Sequence, residues 1–557
     1  MKNKILKSLI NNHMAIPMMI FGFYFIINYV FLFCLTSPSD PLQYVEPAIN
    51  PNNGFPFFDR LFLWLWIRFF TIFSIAPEEI GGIATLTLTS LTLAIGVWYL
   101  IKRAGLLASA IFFFLFVMSP FTTGVSSYTY PTQLLTFVLF TTLILFDLFS
   151  ELKIKSLILG FGCALAIFSK IQGVAFIFFI VYLLNTYKVF DLNRFAASIA
   201  IGIGFLLGVI AVGSIILIAD GPLIFNKIFS YFASSYQNPD GKSTFLIQAA
   251  GRSEGGVPPF YQLLRQGTFF IGFISIFLCS FLRNINSPEA KLFSAAAFFQ
   301  VMGLFLIYLV TQRGGPVIDN YFMDFLVLSL IPSSILISKS FRYEINEKKI
   351  AIFLFMITGA LFSVFIFYSH FYVHKVRPLY FESALIFLFI IISLAYKKNI
   401  FYKIQREFSL RCLGAFLFLW VIVGGLKAVT SSLNKMAESY QYHSVSRILN
   451  SLEDTEVKIF ASFTMDRPTP EDATFRLKQV YETFYKKKSI SFFYDLPPPN
   501  LTFQLLTDRF DLIKLNCEFK KEIFIPSQSY SIKIMGSLFG APDYNFKKIW
   551  FLKGCKI

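Results

Sequence analysis

Long apolar runs separated by short polar stretches fill the chain as far as residue 430, and beyond it the pattern changes. A helix needs about 20 apolar residues to cross the hydrocarbon of a bilayer. Runs at 14–36, 80–101, 105–118, 134–149, 156–168, 171–184, 195–219, 267–282, 292–310, 323–338, 350–370, 382–395 and 412–430 read as spans. Four of these, between 105 and 184, are short, and the pair flanking Ser169-Lys170-Ile171-Gln172-Gly173 also reads as one broken helix. Past 430 the apolar runs become strand-sized. Residues 457–462 read as a strand, and Thr469-Pro470-Glu471-Asp472 as a helix start with a Thr cap, a Pro and acids in the first turn. That helix runs to about 485, and strand patterns follow at 489–494 and 510–515. The pattern predicts an α-helical polytopic membrane protein with about 13 transmembrane helices in residues 1–430 and a small α/β domain in 431–557.

Composition removes the soluble alternative. The 557 residues are 56% hydrophobic and 15% charged, with 72 Phe, more apolar surface than a water-soluble core hides. A net charge of +17 would point to nucleic acid in a soluble protein. Here it follows from Lys and Arg gathering in cytoplasmic loops, and no nucleic-acid partner is expected. With thirteen spans and the N-terminus inside, twenty Lys and Arg fall in short inside loops and ten in the longer outside loops. Merging the 156–184 pair gives fourteen against fifteen and erases the bias, so thirteen is preferred. The odd count makes the C-terminal domain extracytoplasmic. Lys2, Lys4 and Lys7 before a long apolar run predict an uncleaved signal anchor. The expected location is a bacterial inner membrane, with the C-terminal domain periplasmic. Cys34, Cys163, Cys279 and Cys412 lie in or beside apolar runs as packing residues. Cys517 and Cys555, the two in the outside tail, are expected to pair.

Chemistry has room in the outside loops. The first, 37–79, carries Asp40 directly after the first span, then Tyr44 and Glu46. Asp40 reads equally as a cap on a helix starting at Pro41 and as a carboxylate at the outer rim. The segment from Phe58 through Asp59 and Arg60 to Arg68 is apolar and aromatic with two Arg, which suits a helix lying in the interface rather than crossing it. The second long loop, 220–266, is rich in Gly and suits either a gating loop or a solvated one. Lys170, Arg313, His374, Lys375 and Arg377 bring basic groups to the same face, where they either bind phosphate or snorkel to headgroups.

The first-loop acid, the Asp59-Arg60 helix and the stretch Leu159-Gly160-Phe161-Gly162-Cys163-Ala164-Leu165-Ala166-Ile167-Phe168-Ser169-Lys170 resemble the GT-C glycosyltransferases. The branch is that of protein O-mannosyltransferases and lipid A aminoarabinose transferases, and the resemblance covers about residues 1–430. It implies transfer of a sugar from a polyprenyl-phosphate carrier to a lipid, glycan or protein acceptor on the outer face, with inversion. It assigns the general base to Asp40, with Glu46 as the alternative, and groups around the donor and its phosphate to Asp59, Arg60, Lys170, Arg313, His374, Lys375 and Arg377. No cofactor is implied. The second outside loop of this chain, 122–131, has no acid, which counts against a metal-dependent version. Membrane lipids are the remaining expected partner. Two other readings fit the many spans: a lipid-linked oligosaccharide polymerase or ligase, which would use paired Arg in its loops, and a lipid-linked sugar transporter or flippase, which would want inverted repeats and mid-span charges.

Overall fold

The computed structural model describes residues 14–38, 40–50, 60–119, 122–186, 194–220, 287–311, 323–341, 425–452, 459–462, 470–485, 490–492, 503–523 and 549–555. The apolar runs form α1 (Ala15–Phe31), α2 (Asp40–Ile49), α3 (Leu61–Phe70), α4 (Pro77–Arg103), α5 (Leu106–Val117) and α6 (Pro131–Leu148). They continue as α7 (Leu152–Ser169), α8 (Phe176–Thr186), α9 (Arg194–Asp220), α10 (Pro288–Thr311) and α11 (Met323–Phe341). Among the described residues, α4, α6, α7 and the Arg194–Ile218 part of α9 are long and apolar enough to cross a bilayer. Every expected span up to 219, and those at 292–310 and 323–338, coincides with a helix. The spans expected at 267–282, 350–370, 382–395 and most of 412–430 lie outside the described residues.

One face of α9 carries Phe195, Ile199, Ile203, Leu206 and Ile210 outward, as a lipid-facing helix should. Its other face lies close on α7. A Cβ at Gly160 would stand 1.9 Å from the Ile201 carbonyl oxygen, and one at Gly204 would stand 2.2 Å from that of Leu157. Only glycine permits so close an approach of two backbones. The glycine-bearing stretch before Lys170 is thus accounted for by packing.

The chain breaks after α7. Lys170 is extended, a short 3-10 turn covers Ile171–Ala175, and α8 follows. Gly173 folds back against Ala166, where a Cβ would meet the Ala166 carbonyl carbon at 2.3 Å. The chain therefore doubles back here rather than continuing as one kinked helix. The 3-10 turn packs against α10, and Gln300 Nε2 donates to the Gln172 carbonyl at 3.3 Å.

The segment expected to lie in the interface is α3. Ten residues rise only about 15 Å, half the hydrocarbon thickness, so α3 does not span. Leu61, Leu63, Trp64, Leu65, Ile67 and Phe70 are buried. Trp64 Nε1 donates to the Pro47 carbonyl (3.1 Å) and Arg68 Nη1 to that of Ala48 (2.9 Å), so α3 is bonded side by side to the end of α2.

The second outside loop differs from a solvated loop. Ser119, Thr122, Ser126, Ser127 and Thr129 are all buried. Ser126 and Ser127 exchange water for partners inside: Cys34 N–H donates to Ser127 Oγ (2.9 Å), Ser127 Oγ to the Leu32 carbonyl (3.1 Å), and Ser126 Oγ to Asn28 Oδ1 (3.2 Å). Its lack of acids matches this interior position, since an unpaired carboxylate would be costly there.

A long helix, α12 (Gly425–Ser451), joins the bundle to the C-terminal domain. It crosses the expected boundary at 430 without interruption. Leu433 and Met436 pack into the core of the bundle, while Tyr442, Val445 and Leu449 pack into that of the domain. The domain contains β1 (Ile459–Ser462), α13 (Pro470–Phe484), β2 (Ile490–Phe492), β3 (Phe503–Thr507), a single helical turn α14 (Phe510–Ile513), β4 (Cys517–Ile523) and β5 (Ile549–Cys555). The strand order is β2-β1-β3-β5-β4. β1 runs parallel to β2 and β3, and β5 antiparallel to β3 and β4, so β1-α13-β2 is a parallel crossover unit.

The strand expected at 510–515 is instead the α14 turn, and the strand is β3. A turn forms because Arg509 N–H donates to Thr507 Oγ1 (3.0 Å) and its guanidinium reaches both Asp511 oxygens (3.2 and 2.7 Å). Cys517 and Cys555 face each other in register across β4 and β5 and form the expected disulfide.

Candidate active site

The helix that carries the first-loop acids lies between the bundle and the C-terminal domain. Asp40 opens α2. Two residues on, Leu42 is buried in the core of the C-terminal domain with Tyr442, Leu449, Leu477 and Tyr481. Val45 and Ala48 of the same helix are buried in the core of the bundle. Asn50 Nδ2, just past its end, donates to the Thr483 carbonyl of α13 at 3.4 Å. Glu46 is half-buried, and burial together with the neighbouring charge of Glu482 holds its carboxyl above the usual range. A carboxylate raised toward neutrality accepts a proton more readily.

Arg60 sits beside this helix, with its guanidinium carbon 4.6 Å from the centre of the Tyr44 ring. That cation–π contact joins the start of α3 to the middle of α2. Tyr128 from the buried loop donates its hydroxyl to Ser37 Oγ at 3.3 Å. Lys435 of α12 stands 5.1 Å from the Tyr128 ring centre, with Nζ donating to the Gly124 carbonyl at 3.2 Å. Lys435 was not anticipated, because its run reads as a polar tail after a span.

Lys170 was expected in an outside loop and is buried, 4% exposed, with Nζ donating to Thr132 Oγ1 at 2.8 Å. The turn that folds Gly173 back onto α7 draws it in. The charge of Asp324, at the start of α11 and fully buried, interacts with it. Asp324 Oδ2 accepts from Gln300 Nε2 at 2.7 Å. This cluster joins α6, the 170–175 turn, α10 and α11. Asp59, Arg313, His374, Lys375 and Arg377 lie outside the described residues.

A second group of polar residues gathers at the rim where the bundle meets the C-terminal domain. His443 of α12 is buried, with Nε2 2.8 Å from the Thr36 carbonyl oxygen and Nδ1 2.9 Å from the Tyr485 hydroxyl. Burial pushes its imidazole down to about 4, against the raising effect of the Thr36 hydrogen bond and the Glu78 charge. Glu78 Oε1, at the start of α4, lies 3.1 Å from Arg447 Nη2 and 3.4 Å from the Tyr485 hydroxyl.

No protein-family model matches the sequence, and no curated protein matches it. Solved structures do. The crystal structure of ArnT from Cupriavidus metallidurans in the apo state aligns over 98% of each chain with a TM-score of 0.50 and 11% identity. The same protein bound to undecaprenyl phosphate aligns over 98% of each chain at 0.49 and 10%. The oligosaccharyltransferase of Archaeoglobus fulgidus in its apo form covers 86% of this chain and 64% of its own, at 0.42 and 13%. At such identities the likeness is one of fold alone.

Proposed function

We propose that this protein is an integral-membrane glycosyltransferase that moves a sugar from a polyprenyl-phosphate carrier to a lipid, glycan or protein acceptor on the outer face of the membrane. The observation that carries the reading is the acid-bearing helix Asp40–Ile49, packed between the bundle and the C-terminal domain of a GT-C fold. Asp40 is the general base. Its carboxylate takes the proton of the acceptor hydroxyl while that oxygen bonds to the anomeric carbon. The bond from that carbon to the phosphate oxygen breaks, its electron pair leaves with the phosphate, and one displacement inverts the centre. The donor arrives already activated, so the step uses no cofactor. Arg60, Lys170, Arg313, Lys375 and Arg377 are the proposed cations for the developing phosphate charge, with Asp59 and His374 beside them. Lys170 serves in this role only if carrier binding opens its contact with Thr132.

Purified protein given a polyprenyl-phosphate sugar should release free polyprenyl phosphate. Asp40→Asn keeps the size and the capping oxygen but cannot accept a proton, so turnover should fall by about 10²–10⁴-fold at normal expression and insertion. Activity kept in Asp40→Asn and lost in Glu46→Gln would transfer the base to Glu46. Full activity in both would refute the mechanism.

A further inference from the structure

All three polar groups of Thr36 are engaged. Its N–H and Oγ1 donate to the Glu78 carbonyl (2.9 and 3.0 Å), and its carbonyl accepts from His443 Nε2. An imidazole that donates from Nε2 while neutral presents Nδ1 as an acceptor, so the Tyr485 hydroxyl donates to it. Tyr485 follows α13 directly and accordingly belongs to the C-terminal domain. The result is a chain of hydrogen bonds from the C-terminal domain, through α12, to a backbone carbonyl four residues before Asp40. Two residues after Asp40, Leu42 is buried in the core of that same domain. The C-terminal domain therefore grips the chain on both sides of the acid.

We propose that His443 and Tyr485 are positioning residues for the transfer reaction, acting through the Thr36 carbonyl so that the C-terminal domain sets where Asp40 stands. The proposal rests on the reading of Asp40 as the base. Neither residue needs to touch substrate. A shift of about 1 Å in a reacting group costs on the order of 10²-fold in rate, and residues 36–38 belong to no helix or strand before α2 begins at Asp40. His443 and Tyr485 remove that freedom at one end, and Leu42 removes it at the other.

The test uses the full-length protein in lipid nanodiscs, with Tyr485→Phe, His443→Leu and His443→Gln. Two measurements are made: amide hydrogen exchange across residues 33–50, and kcat and KM with a polyprenyl-phosphate sugar. Tyr485→Phe and His443→Leu should raise exchange in 33–50 and lower kcat by about 10–100-fold with the donor KM unchanged. His443→Gln should stay close to wild type, because its side-chain amide N–H replaces Nε2–H toward Thr36. A purely structural role would reduce the yield of folded protein and leave kcat per folded molecule intact. Unchanged exchange in Tyr485→Phe and His443→Leu overturns the proposal, and so does raised exchange with unchanged kcat. A wild type that transfers nothing removes the functional reading and the positioning role together. The exchange data then still decide whether the domain grips the segment.

Discussion

Two polar clusters tie distant helices together, and they compensate their charges differently. Inside the bundle, Lys170 and Asp324 bring opposite charges into a fully buried site with Thr132 and Gln300. Where the bundle meets the C-terminal domain, at its rim, His443 and Tyr485 work as neutral hydrogen-bonding groups, and the ion pair Arg447–Glu78 has its Arg half in solvent. The inner cluster holds charge that has no water to fall back on. Losing one partner strands the other, whereas losing a group at the rim admits water. Effects of mutation should therefore be large and rescuable inside, and smaller and condition-dependent at the rim.

The largest effect belongs to the inner pair. Asp324→Asn or Lys170→Met alone should destabilise the protein by about 3–5 kcal/mol, the usual consequence of leaving one buried charge uncompensated. The double variant Lys170→Met with Asp324→Leu should recover most of that, since well-packed apolar groups replace a buried pair at little cost. Thermal unfolding in detergent would read both. Single variants as stable as wild type, with carrier binding lost in Lys170→Met, would instead make Lys170 a ligand of the carrier phosphate and end the comparison.

The two clusters also differ in how far they could be read from the chain. Asp40 after the first span and Arg60 at the head of α3 follow from local pattern, as do α13, β1 and β2, whose turn chemistry is written in adjacent residues such as Pro470-Glu471-Asp472. β3 was displaced in the reading to 510–515, because four or five apolar residues carry no period that separates strand from turn. Lys520 and Lys521 read as solvated loop positions, whereas they are exposed positions of the edge strand β4. Lys170 could be assigned a side of the membrane but not a depth, which depends on α10 closing over the turn. The rim cluster was illegible for a plainer reason: His443 and Thr36 are 407 positions apart, and no local pattern links them.

At the rim the next effect is a dependence on pH. The imidazole of His443 takes a proton near 6.5 when unfolded and only near 4 when folded. Between those values the unfolded chain binds more protons, so folding is disfavoured as pH falls. Its contribution is complete above about 6.5 and erodes toward 4, by on the order of 3 kcal/mol at the limit. Carboxylates titrate in the same window, so the quantity to measure is the difference between wild type and His443→Gln. The wild type should lose melting temperature faster than the variant from pH 7 to 4. Parallel curves would mean that His443 is already solvated.

The smallest expected effect sharpens the comparison most. Arg447 and Glu78 form a close pair, 3.1 Å, but the Arg side chain is 51% exposed while Glu78 is 14% exposed. Exposed pairs contribute about 0–1 kcal/mol, because water and salt screen the attraction and a long side chain loses freedom in making it. Arg447→Ala should therefore lower stability by less than about 1 kcal/mol, and that loss should shrink further in high salt. The reason is in the surroundings of Glu78. Water can enter from the side the Arg vacates, so the carboxylate is not stranded as Asp324 would be. A loss comparable to that of Asp324→Asn, and insensitive to salt, would show that the rim is as dry as the bundle interior. The distinction between the two clusters would then have to be abandoned.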